Sequence, residues 1–228
     1  MALAHSPKII TDGLVLCLDA GNTKSYPGSG TTWTDLSGNG NNGSLVNGVG
    51  YNSSNGGSLS FDGSNQYAQV LANGKSTIFD TQSYTIESIF QRTDGGENIL
   101  WSFDFTSHSS PYYAQHLRMS GNSLYFLWNG SGTYRFIYGT VSNLNTWTIV
   151  SATFTSGYQA LYVNGSLLTS STRADTITYY NQEIWIGKGN YGGSQLAGKI
   201  ASTKFYNRAL TASEIQQNYN ALKGRYTT

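Results

Sequence analysis

Short runs rich in Val, Ile, Leu, Tyr and Phe recur along almost the whole chain, and each is closed by Gly, Asn or Ser. This punctuation constrains the fold more than any other feature, because such runs bounded by turn residues read as strands. They are "GLVLCLDA" (13–20), "SLSFDG" (58–63), "QYAQVL" (66–71), "SYTIESIFQRT" (83–93), "NILWSFDF" (98–105), "SLYFLWNG" (123–130), "YRFIYGT" (134–140), "TWTIVSATFTS" (146–156), "QALYVNGSLLTS" (159–170), "QEIWIGKG" (182–189) and "GKIASTKFYNRAL" (198–210). About eleven strands at this spacing fit a sandwich or a barrel. Asn164-Gly165, set between two apolar runs, predicts a tight hairpin. Ile86 and Phe90 alternate with Glu87, as inward and outward residues of one strand do. "YRFIYGT" carries large side chains on both faces. That strand is either buried on both sides or presents Tyr134, Phe136 and Tyr138 as an aromatic surface.

One helix interrupts the pattern. In "LTASEIQQNYNALKG", Thr211 stands three residues before Glu214, the spacing of a capping box. Ile215, Tyr219 and Leu222 share a face, and Gly224 sits where a helix stop is expected. No Pro-rich linker, charge block or repeat divides the chain. The expectation is an N-terminal arm (1–11) followed by one domain (12–226), with the short helix on the edge of the sandwich.

Composition narrows the function. Apolar residues make up 38% and aromatics 14%, enough for a core, while only 11% is charged and the net charge is +1. No basic stripe is present, so nucleic acid is not an expected partner. No run approaches 18 apolar residues, so no membrane span is expected. Cys17, the only cysteine, excludes internal disulfides and cysteine-rich zinc sites, and within "LVLCL" it reads as a buried, inert thiol. The opening "MALAHSPKIITDG" lacks a basic region followed by an apolar one, so it does not read as a signal peptide. The polar surface comes from Ser, Thr, Asn, Gln, Gly and Tyr, which suits neutral partners such as sugars or other proteins.

"LSGNGNNGSLVNG" (36–48) holds three Asn-Gly pairs. Alone it reads as linker. Between "TTWTDLSG" and "GGSLSFDG" it reads as a folded loop whose Gly and Asn residues take positive φ, with Leu45, Val46, Trp33 and Leu36 as anchors. These segments, with "SYTIESIF", "ALYVNG", "IWIGKG" and "GKIASTKFYNRALTASEIQQNYNALKGRY", resemble the concanavalin A-like, laminin-G-like jelly-roll family over residues 13 to about 226. The version "LDAGNTKSYPGSGTTWTDLSGNGNNG" with a closing "NYNALKGR" resembles stand-alone domains in structural proteins of tailed bacteriophages. The resemblance implies an all-β, two-sheet antiparallel jelly-roll sandwich. It also implies a non-enzymatic virion protein that decorates a capsid or tail, assembled in the host cytoplasm. Its partners would be other virion proteins or further copies of itself. A carbohydrate-binding module adhering to host surface polysaccharide is the alternative.

Catalytic chemistry finds few carriers. Glycoside hydrolysis takes two carboxylates across a cleft, and hydrolases of this fold place them two residues apart on one strand. "SYTIESIFQRTD" offers only Glu87, flanked at that spacing by Thr85 and Ile89. Glu87 therefore reads as a surface or ligand-binding carboxylate. No Gly-x-Ser-x-Gly elbow is present, and "GKGNYGG" (187–193) lacks P-loop spacing. For sugar stacking, the candidates are Trp101, Trp128, Tyr134, Tyr138 and Trp185, together with Tyr112 and Tyr113 of "SPYYAQH". Core packing accounts for most of them equally well. The family often holds one calcium near the sandwich rim. Asp19 and Asp62 match its acidic positions, although Asp62 before Gly63 is equally a turn former. Ala201 and Ser202 stand where a further acid is expected. No cofactor is required beyond that possible structural calcium.

Overall fold

The computed structural model describes residues 7–70, 82–104, 115–130, 133–177, 183–189 and 194–226. Among them the strands are β1 (Leu14–Asp19), β2 (Thr32–Trp33), β3 (Gly43–Val46), β4 (Gly50–Asn52), β5 (Ser58–Asp62), β6 (Tyr67–Val70), β7 (Ser83–Arg92), β8 (Glu97–Asp104), β9 (His116–Ser120), β10 (Ser123–Gly130), β11 (Thr133–Thr140), β12 (Thr148–Thr155), β13 (Tyr158–Val163), β14 (Ser166–Ser171), β15 (Glu183–Ile186) and β16 (Ala197–Tyr206). Helix α1 spans Ala212–Leu222. The strands form two antiparallel sheets. Sheet one runs β14-β13-β12-β7-β16-β5-β4, with β1 also paired to β16. Sheet two runs β11-β10-β9-β8-β15-β6-β3-β2. This is the all-β jelly-roll sandwich with one short C-terminal helix.

The core lies between the sheets. Ile86, Phe90, Phe154, Phe205 and Leu16 of sheet one meet Trp101, Phe126, Trp128, Leu117 and Ile184 of sheet two. The Asn-Gly hairpin forms as its dipeptide dictates: Asn164 (φ 49°) and Gly165 (φ 79°) join β13 to β14. Both lie in the left-handed region that this dipeptide tolerates.

Sheet one is also covered on its outer side. Helix α1 turns Ile215, Asn218 and Leu222 onto it. Residues 8–10 lie beside the helix, where the Ile10 amide donates to Asn218 Oδ1 (2.8 Å) and Gln217 donates to the Lys8 carbonyl (2.8 Å). Leu222 packs with Ile89 and Ile149, and Ile215 packs with Tyr162 and Tyr206. The helix starts at the expected capping box, with Thr211 and Glu214 bonded reciprocally. It does not stop at Gly224: Lys223 stays helical and Lys223–Arg225 continues as a 3-10 turn.

Arg208 grips Glu214 with two donors, at 3.0 and 2.6 Å. That contact, followed by the Thr211 backbone and hydroxyl, holds the Glu214 carboxyl at about 2, below its ordinary 4.5. A carboxylate depressed by folding stabilises above its unfolded pKa and loses the contribution as pH falls through the folded one. We therefore expect stability to decline between about pH 4.5 and 2 in the wild type. Glu214→Gln should flatten that part of the profile in urea titrations. An unchanged slope would refute the assignment.

Candidate functional site

With the outer side of sheet one occupied by α1, the opposite outer face belongs to sheet two. Its composition follows from register, since residues paired across an antiparallel ladder point the same way. One row crosses the sheet as Gln69, Trp185, Ser102, His116, Leu127 and Phe136. The middle of this row is buried at Ser102, His116 and Leu127. Phe136, at one end, is 48% exposed. Trp185 and Phe136 are four strand spacings apart, roughly 19 Å.

The β11 end is aromatic. A second row aligns Arg118, Tyr125 and Tyr138 on β9, β10 and β11. The Arg118 guanidinium lies 5.2 Å from the centre of the Tyr125 ring, and Tyr125 stacks on Tyr138 at 5.1 Å and 17°. Glu97 pairs with Arg118 from β8. Tyr138 ends this stack and is 54% exposed. Phe136 joins both Tyr134 and Tyr138 at 6.1 and 6.2 Å. Leaving two large aromatics half exposed side by side forgoes part of the about 1.5–3 kcal/mol that full burial of each would contribute. Sheets that serve only as scaffold have no reason to do so at two alternate positions of one strand. In the ladder Asn129 faces Tyr134. Asn129 is 1% exposed, and among the described residues neither its amide oxygen nor its nitrogen has a hydrogen-bond partner.

The other end of the row is closed. Trp185 packs against Tyr67 at 5.4 Å with the rings tilted by 50°, and Lys188 Nζ lies 3.9 Å from the Trp185 ring centre and 4.2 Å from that of Tyr67. Glu183 accepts from Gln69 and from Trp185 Nε1. Here the ammonium takes the ring surface that a sugar would need.

Of the residues expected to bind sugar, the structure therefore gathers only Tyr134 and Tyr138 on one exposed surface. Trp101 and Trp128 are both 0% exposed and belong to the core between the sheets. Glu87 is not a surface carboxylate. It is 0% exposed beneath α1, 3.2 Å from Lys204 Nζ. Tyr112 and Tyr113 lie outside the described residues. The calcium ligands do not fit the ion. Both oxygens of Asp19 are held by Arg225 (2.7 and 2.9 Å), a cation in the place a metal would take. Asp62 caps its own turn, accepting from the amides of Ser64 and Asn65. Among the described residues no three His, Cys, Asp or Glu side chains converge on a point. Phe136 was expected in an aromatic surface but not among the sugar-stacking candidates, and Tyr125 and Arg118 were not anticipated. The alternate aromatics of "YRFIYGT" signalled Phe136, but Tyr125 and Arg118 join the stack through cross-strand register, which no local pattern carries.

The family model described as the concanavalin A-like lectin/glucanases superfamily, of laminin G type, matches residues 61–216. The chain belongs to the concanavalin A-like lectin/glucanase superfamily. No curated protein matches the sequence. Solved structures of this lectin-like fold align over most of the chain. The botulinum neurotoxin serotype D binding domain superposes with a TM-score of 0.72 at 16% identity, covering 92% of this chain and 51% of that one. The botulinum neurotoxin DC binding domain, solved with rat synaptotagmin II and also with SialylT, gives 0.72 and 16% in both cases, covering 93% and 52%. The chain thus spans about half the length of these solved chains. At such identity the likeness to the toxin domains carries the fold alone.

Proposed function

We propose that this chain is a non-catalytic glycan-binding domain whose ligand lies on the β10–β11 end of sheet two. The observation that carries this reading is the exposed ring pair of Phe136 and Tyr138, backed by Tyr125 and Arg118. Aromatic rings pack on the apolar faces of sugars, and neighbouring polar groups meet the hydroxyls. Catalysis lacks a carrier in Glu87, which is shielded from any substrate and committed to an ion pair. On a broad glycan array the protein should bind a defined subset. Phe136→Ala with Tyr138→Ala should lower affinity at least about tenfold, or ~1.4 kcal/mol. Both side chains are half exposed, so the unfolding midpoint should stay nearly constant. An array without hits, or binding indifferent to both substitutions, would refute the assignment.

The bacteriophage-type signature of residues 18–43 supports a second reading, decoration of a capsid or tail, in which the same face contacts polysaccharide or a neighbouring virion protein. It predicts stoichiometric recovery with intact particles. Recovery solely as free protein would count against it.

A further inference from the structure

At the outer edge of β11, the terminal strand of sheet two among the described residues, a cavity of about 330 Å³ is lined by Tyr134, Arg135, Phe136 and Arg173. We infer that this cavity is a subsite for the carboxylate of an acidic sugar residue, held between the guanidinium groups of Arg135 and Arg173. The inference rests on the glycan-binding reading and specifies its ligand.

The charges are arranged for an acceptor that the protein does not itself supply in full. Arg135 stands opposite Trp128 in the ladder. Its Nε lies 3.7 Å from Asp175 Oδ1 and has no hydrogen-bond partner. Asp175 is already engaged by Trp128 Nε1 at 3.0 Å. Arg173 is exposed, and no carboxylate among the described residues pairs with it. Its main chain, by contrast, is fixed. Gln159, 0% exposed on β13, donates to the Arg173 carbonyl at 2.9 Å and accepts its N–H at 3.4 Å. Gly157 N–H donates to the same carbonyl at 2.9 Å. The root of the side chain is thus held in place while its charged end stays free.

Two guanidiniums and one aspartate leave the cavity with one net positive charge. Guanidinium groups are donors only and stay protonated at any ordinary pH, so their complement is an oxyanion. A planar carboxylate matches the guanidinium fork. Tyr134 and Phe136 complete the lining of the cavity. The volume lies at the lower end of small-molecule sites, which suits a single acidic residue rather than a long polyanion.

The test uses the full chain and matched glycan pairs: oligogalacturonides against their methyl esters, sialyllactose against lactose, and sulfated against unsulfated lactose. Carboxylated members should bind about tenfold more tightly than their neutral partners, with the preference shrinking as salt rises. Arg173→Gln, exposed and remote from the core, should erase the preference yet keep the affinity for neutral members. Arg135→Gln should act in the same direction. Equal binding of charged and neutral members, or a preference that survives Arg173→Gln, overturns the inference. If binding then still depends on Phe136 and Tyr138, the glycan-binding reading stands without it. Tighter binding of the sulfated member than of any carboxylated one also overturns the carboxylate assignment. Failure of every member to bind overturns both readings.

Discussion

Replacing Lys204 by Ala should lower the unfolding free energy by about 3–5 kcal/mol, as removal of one partner from a buried ion pair does. Lys204 is 2% exposed and Glu87 0%. The loss would leave Glu87 charged beneath α1, with only Ser151 Oγ (3.2 Å) and Asn218 Nδ2 (3.4 Å) donating to it. Most of the cost is that stranded charge and not the worth of the pair itself. A combined Glu87→Gln, Lys204→Met variant should therefore be markedly more stable than Lys204→Ala. It removes both charges together, and the glutamine oxygen keeps its two donors. Equilibrium urea unfolding of the three proteins decides the matter. If the double variant is as unstable as the single one, the ion pair is a true stabiliser and the desolvation argument fails. The same experiment bears on function. Glycan binding should be unaltered in whatever fraction of each variant is folded, because Glu87 lies on the far side of the sandwich from Phe136 and Tyr138.

That pair also shows where the sequence becomes silent. Glu87 and Lys204 are 117 positions apart, and only the β7–β16 register brings them together. An isolated acid in a strand looks like a surface or ligand group until the helix that covers it is in place. Trp101 and Trp128 misled for a related reason. Whether a strand residue faces the core depends on register, and the irregularity between Ile99 and Trp101 resets the alternation within β8 itself. By contrast, β7, β12 and the β13–β14 hairpin were legible, because β-branched and aromatic runs closed by turn residues specify strands locally. The Thr211–Glu214 capping box was legible for the same reason. The strands that escaped notice, β2, β3, β4 and β9, are short, and β3, β4 and β9 hold few such residues. They owe their conformation to the neighbours that pair with them rather than to their own preference. At the candidate site, Tyr134, Phe136 and Tyr138 could be read as one surface from their alternate spacing. Arg173 could not, since it enters the cavity from a segment whose course depends on Gln159.

The loop "LSGNGNNGSLVNG" supplies the second large expected effect, centred on Asp35 just before it. Asp35→Ala should cost about 3 kcal/mol, from several charge-assisted hydrogen bonds lost and buried donors left unmet. β1 pairs with β16 along one side only, so its other edge presents bare amides and carbonyls. The loop meets them one by one. Cys17 N–H donates to Asp35 Oδ1 (2.8 Å), and Leu36 N–H donates back to the Cys17 carbonyl (2.8 Å). Ser37 Oγ and Asn41 Nδ2 both donate to the Val15 carbonyl, at 3.0 and 2.9 Å. The Asp35 carboxylate then gathers the loop itself, accepting from Ser37 N–H and Asn41 N–H and sharing the single Ser37 hydroxyl proton with the Val15 carbonyl. Asn42 Oδ1 closes the arrangement on the Asp35 amide (2.9 Å). Gly38, Gly40 and Gly48 all have positive φ, which lets so few residues fold this tightly. Side-chain amides and hydroxyls thus stand in for a further strand, which explains why polar, turn-prone residues occupy a stretch next to the core. Cys17 gives the readout: it is 6% exposed, and burial pushes its thiol pKa up. In Asp35→Ala the thiol should react with a disulfide reagent many times faster than in the wild type, and proteases should cut between residues 37 and 48 first. A variant with an unmoved unfolding midpoint and a silent thiol would show that the edge of β1 is held by its pairing with β16 alone.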